Sequence, residues 1–133
     1  MNATSSPLGH YRSVGAYSAA ASENRAELVM QLMDGAYEQI NMARGYIERG
    51  ETARKGEAIR RATGMLDGLR ASLDHERGGQ IATNLDQLYD YMNRRLVEAN
   101  LNDATDLLTE VAELLSEIRS AWQQVAAAEA APA

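Results

Sequence analysis

Four stretches of this chain place apolar residues every three or four positions, the spacing that puts them on one side of an α-helix at about 100° per residue. The first carries Leu32, Met33, Ala36, Ile40, Ala43 and Ile47; Ser22 offers an N-cap, Glu23 suits the positive end of the dipole, and Gly50 a stop, which predicts a helix over 22–49. The second, over about 52–74, holds Ile59, Ala62, Met65, Leu66, Leu69 and Leu73 and is expected to end at Gly78-Gly79, with His75 at its C-terminal end. In the third, over 79–99, Ile81, Leu85, Leu88, Tyr89, Met92 and Leu96 share a side, whereas Tyr91 lies a quarter turn or more from its middle. Starting near Asn102 or Asp103, the fourth shows a narrow stripe of Leu107, Leu108, Val111, Leu114, Leu115, Ile118, Trp122 and Val125.

Connections of about three to five residues make successive helices antiparallel, so the expected fold is all-α, an up-down four-helix bundle. The expected domain plan is a flexible N-terminal segment over 1–21, a bundle over 22–128 and a disordered tail over 129–133. Leu8, Tyr11, Val14 and Tyr17 recur every three residues in the N-terminal segment, which reads either as a short fifth helix packed on the bundle or as a removable cover.

Composition agrees with helix: 45% of the 133 residues are apolar and only two are proline. Nineteen acidic against thirteen basic residues leave a net charge of -6, which disfavours nucleic acid and anionic lipid surfaces as partners. No apolar run approaches the roughly 18 residues of a membrane span, no secretory signal pattern opens the chain, and there is no cysteine, all of which points to the cytoplasm.

Catalytic chemistry has little to work with. His10 and His75 lie outside any metal-ligand spacing, no P-loop, G-x-S-x-G or dinucleotide glycine pattern occurs, and carboxylates such as Glu57 pair at i,i+4 with residues such as Arg61. Neither an enzyme, a metal nor a cofactor is expected. The run His75-Glu76-Arg77-Gly78 resembles a histidine phosphotransfer site superficially, but its spacing is one residue short and it abuts the Gly-Gly break. An exposed histidine favoured by the negative C-terminal end of the second helix is the plainer reading.

Apolar character spills beyond a bundle stripe in the first helix, where Met42 and Tyr46 occupy one shoulder and Met30 and Tyr37 the other; Tyr91 and Val97 add to the excess on the third. Tyrosine and methionine at helix boundaries are compatible with wet tips on buried stems, but together they suggest a surface that meets a partner. Glycines inside helices, Gly35, Gly45, Gly64 and Gly68, cost about 1 kcal/mol each relative to alanine and imply close approach by a neighbouring helix or a bound peptide. A homodimer seam is the rival use of the same surface.

The runs LVMQLMDGAYEQI and LDHERGGQIATNLDQLYDYMNRRLVEAN, with the late Trp122, resemble the flagellin-specific export chaperones of the FliS family, over about residues 8 to 125. That resemblance implies an antiparallel helical bundle that binds the disordered C-terminal segment of flagellin in the cytosol, prevents premature polymerisation, and delivers it to the flagellar type III export gate protein FlhA. The anti-sigma factor FlgM is a further candidate partner. Met42, Tyr46 and Tyr91 are the expected client groove, and Leu8 and Tyr11 stand where family members carry residues of the cover and of gate docking. The chain departs from the family in lacking a proline just after the first cap and in having no phenylalanine, so tyrosine and methionine must supply the large contacts.

Overall fold

A computed structural model describes Val14 and residues 23–130, with side chains for Val14 and residues 25–123. Four helices account for nearly all of it: α1 (Glu23–Glu48), α2 (Thr52–Ala71), α3 (His75–Asn102) and α4 (Thr105–Ala130). α1 packs on α2 and α4, and α3 on the same two, so α1 and α3 occupy opposite corners of a bundle. Cross-helix pairs set the directions. Asp34 of α1 meets Arg119 of α4 while Arg44 shares a hollow with Thr109, and in α2 and α3 Lys55 reaches Asn100 whereas Asp67 reaches Asn93 and Arg70 reaches Asp86; in each seam residue numbers rise on one helix as they fall on the other.

The core is the set of positions that helical periodicity selects. Met33, Ala36, Ile40, Ala43, Leu66, Leu85, Met92, Leu96, Leu108, Leu115 and Ile118 are fully or almost fully buried. Tyr89 joins them, and Tyr91, off the stripe, does not. Val14, the one described residue ahead of α1, is helical and wholly buried in the same cluster. Leu8, Tyr11 and Ser22 lie outside the described residues, as do 131–133; α4 itself continues to Ala130, into the stretch expected to be tail.

Local chemistry explains the ends. Gly50 stops α1 with φ 71°, while the Glu51 N–H donates to the Tyr46 carbonyl (2.8 Å) and the Gly50 N–H to that of Ile47 (3.1 Å), the Schellman pattern that satisfies two terminal carbonyls. Asp103 ends α3 in the left-handed region (φ 51°), with the Ala104 N–H on the Ala99 carbonyl at 3.1 Å. Lys55, the buried charged residue of the core, donates to the Asn100 carbonyl (3.0 Å) and to the Asp103 carboxylate (2.6 Å), placing a cation against the negative end of α3.

The corner between α2 and α3 corrects the expected boundaries. α2 ends at Ala71, and Asp74 then caps α3 by accepting the Arg77 N–H at 3.0 Å, with Glu76 in the first turn. The Gly78-Gly79 pair therefore sits inside α3 as a kink, with Gly79 at φ 48° and ψ -121°, a conformation open to glycine alone. His75 consequently lies at the positive end of a helix, not at the negative end of the preceding one, so the favourable dipole interaction expected for it is absent.

Candidate functional site

Two glycines bring α1 and α2 into close contact. A Cβ on Gly35 would stand 2.8 Å from the Met65 sulfur, and one on Gly68 would stand 3.3 Å from a Leu32 methyl, so these glycines are explained by a neighbouring helix. Met42 and Tyr46 follow Gly35 by seven and eleven residues, on the same edge of α1. Met42 is 38% exposed; Tyr46 is partly buried against the core, its outer ring face under the Arg49 guanidinium at 5.3 Å. Leu28, 48% exposed, extends this edge toward the start of the helix.

Tyr91 belongs to another edge. Its hydroxyl donates to Glu110 of α4 at 2.6 Å, Arg95 donates to the other oxygen of the same carboxylate at 3.0 Å, and Arg94 and Arg95 lie 5.9 and 5.6 Å from the ring centroid. Its own hydroxyl bond and Arg95 hold Glu110 below the usual carboxylate range, and the adjacent carboxylate raises the Tyr91 phenol above its ordinary value. α1 and α3 being at opposite corners, the structure groups Met42 with Tyr46 on the α1–α2 side and sets Tyr91 apart on the α3–α4 side. No single furrow holds all three.

A furrow runs between α1 and α4, which no loop joins. Here a hollow of about 270 Å³ lined by Met33, Tyr37 and Leu115 adjoins one of about 410 Å³ lined by Tyr37, Arg44, Ala112 and Glu113. Tyr37 stands between them at 42% exposure, and the Asp34–Arg119 ion pair bars one end. Periodicity marked Tyr37 as a shoulder residue without revealing this furrow, because the separation of the first and last helices is a property of the assembled bundle. Leu101, 79% exposed, escaped notice because it lies beyond the expected end of the third helix.

Among the described residues no group of three or more His, Asp or Glu side chains is arranged to hold a metal ion, and no helix is long and apolar enough to cross a membrane. What the described surface presents is tyrosine, methionine and leucine on separate helix edges. The family model described as "Flagellar protein FliS" matches residues 8–129. The chain belongs to the FliS family. It is 45% identical over 123 residues to the flagellar secretion chaperone FliS of Salmonella typhimurium, covering 92% of this chain and 91% of that one. To the flagellar secretion chaperone FliSB of Pseudomonas aeruginosa it is 44% identical over 118 residues, 89% and 94% of the two chains. With FliS of Bacillus subtilis the identity is 34% over 98 residues, 74% and 72%. This is a family of flagellar secretion chaperones, and an all-helical domain with uncovered apolar edges suits such work.

Proposed function

We propose that this FliS-family protein binds the disordered C-terminal segment of flagellin in the cytoplasm, keeps it from polymerising, and presents it to the export gate protein FlhA. The observation that carries the reading is the large apolar side chains that the bundle leaves uncovered on two sides of α1, Leu28 and Met42 toward α2 at 48 and 38% exposure and Tyr37 toward α4 at 42%. A disordered client supplies the complementary surface by folding as amphipathic helices along helix edges, and apolar burial offsets its ordering entropy. Because Met42 and Tyr46 lie on one side and Tyr91 on another, the client is expected to wrap around the bundle, with a separate helical turn on each edge. The net charge of -6 contributes steering more than affinity. Leu8 and Tyr11 are assigned to cover or gate docking on the strength of the family resemblance alone, and FlgM remains a candidate for the same apolar edges.

Isothermal titration of the full chain with a synthetic C-terminal flagellin segment tests this reading. A one-to-one complex with a strongly negative heat-capacity change, lost in a Tyr46→Glu/Tyr91→Glu variant that retains its helical circular dichroism, is the expected result. No complex with any flagellin tail would overturn the function. Binding that survives the double variant would keep the function and remove these residues from the site. A protein that is dimeric without client and monomeric in no condition would instead favour the homodimer seam.

A further inference from the structure

We propose that the outer edge between α2 and α3, from Gly56–Gly64 across to Val97–Leu101, docks an acidic amphipathic helix of a second protein. The pairs Lys55–Asn100 and Asp67–Asn93 set the register that lays these two stretches side by side. On α3, Asp86, Asp90, Asn93, Val97 and Leu101 form one stripe, and its first three members touch α2 through Arg70 and Asp67. Polar bridges thus close one half of the seam. Between Asn93, whose Oδ1 has no hydrogen-bond partner, and the buried Lys55 bridge to Asn100 and Asp103, the outer rim opens, and Val97 and Leu101 stand 55% and 79% exposed.

The facing half of α2 holds two glycines that the bundle does not explain. Gly56 and Gly64 sit inside the helix, yet a Cβ on either would meet nothing within 4 Å, in contrast to Gly35 and Gly68. Each weakens the helix relative to alanine. The two lie eight positions apart, about 12 Å along the axis on either side of Arg60, and each leaves its own turn of backbone open to close approach by another chain.

Charge selects the occupant. α2 carries Arg54, Lys55, Arg60, Arg61 and Arg70 against Glu57 and Asp67, in a chain whose net charge is -6 and whose α1 and α4 are both acidic. On the α2 rim one carboxylate serves two arginines, Glu57 accepting from Arg60 and Arg61, whereas Asp86 and Asp90 together accept from Arg70 and Arg94. The positive excess is therefore that of α2, carried past Val97 by Arg60 and Arg61. A helix with small or aliphatic residues along its centre and Glu or Asp on its flanks would bury both apolar side chains and share those arginines.

The test uses two synthetic helical peptides of about three turns with identical leucines at i,i+4 spacing, one flanked by glutamates and one by lysines. Each is titrated into the isotope-labelled full chain and followed by NMR. The glutamate peptide is expected to shift amides of 56–64 and 97–101, to bind at least about tenfold more tightly than the lysine peptide, and to weaken with added salt. A Gly56→Glu/Gly64→Glu variant, whose new side chains enter open space and improve helix propensity, is expected to melt no lower than the parent and to lose the glutamate peptide about tenfold. Leu101→Ala should weaken it without any charge change. Absence of glutamate-peptide binding, equal binding of the lysine peptide, or an undiminished affinity in the double variant would overturn the proposal. The flagellin segment is expected to bind that variant as it binds the parent; were it lost as well, the edge would belong to the client and the second partner would be excluded.

Discussion

The two seams that flank α1 are built on opposite plans. Against α2, glycines at 35 and 68 admit Met65 and Leu32 so closely that there is no spare volume, and a short Schellman-capped corner joins the two helices. Against α4 there is no connecting loop, the outer facing side chains include small and charged groups such as Ser116, Ala112, Arg44 and Glu113, and hollows of about 270 and 410 Å³ lie open beside Tyr37. Interior packing without voids makes the first seam rigid, whereas few buried contacts make the second the easier to remodel. A bundle that must remain folded while a client exchanges on and off its surface has use for both.

Filling each seam should break this contrast most plainly. Gly35→Leu/Gly68→Leu adds volume where none is free and is expected to cost at least about 2 kcal/mol in urea unfolding, even after the gain in helix propensity. Ser116→Leu, pointed into the α1–α4 furrow, should stay within about 0.5 kcal/mol of the parent. Equal effects would mean that the furrow is as tightly packed as the glycine seam.

Removing the buried cation is the next largest change. Lys55→Met leaves the Asn100 carbonyl and the end of α3 without their donor and should cost about 1–3 kcal/mol, read by the same unfolding curves. By contrast, the Asp34–Arg119 pair that crosses the open seam is half exposed, and Arg119→Ala should change stability by little more than about 0.5 kcal/mol. A loss as large as that of Lys55→Met would show that this pair governs the furrow.

The pH response is smaller for each group. Glu110, held by Tyr91 and Arg95, and Asp86, held by Arg70, both have pKa values below the usual carboxylate range in the folded protein. The unfolded chain therefore binds protons first. Their stabilisation is present above about pH 4 and is lost as pH falls through the depressed folded values. In Glu110→Gln, the fall in melting temperature between pH 5 and the acid limit should be shallower than in the parent; an unchanged profile would mean that the Tyr91–Glu110–Arg95 cluster adds nothing to folding.

These contrasts also mark what the chain's pattern could convey. Core positions such as Ile40, Leu66, Leu96 and Ile118 repeat at helical spacing because one face of every helix must be dry, so four helices and their inward faces were legible. Gly50 was legible as a stop because a single left-handed residue decides it. The Gly78-Gly79 pair misled, since the Asp74 cap four residues earlier had already started α3 and the glycines only kink it. Of the candidate site only the angular positions were legible: wheel angles placed Met42, Tyr46 and Tyr91 on shoulders. Which neighbour each shoulder meets depends on the order of helices around the bundle, and that separates Tyr91, beside Glu110, from the edge shared by Met42 and Tyr46.

Hydrogen exchange of the full chain with and without a flagellin C-terminal segment bears most directly on the chaperone reading. Added protection is expected in two separate places, on α1 around Met42 and Tyr46 and on the α3–α4 edge around Tyr91 and Glu110, while the already tight positions near Gly35 and Gly68 change little. Protection confined to one edge, or none at saturating segment, would contradict a client wrapped around the bundle.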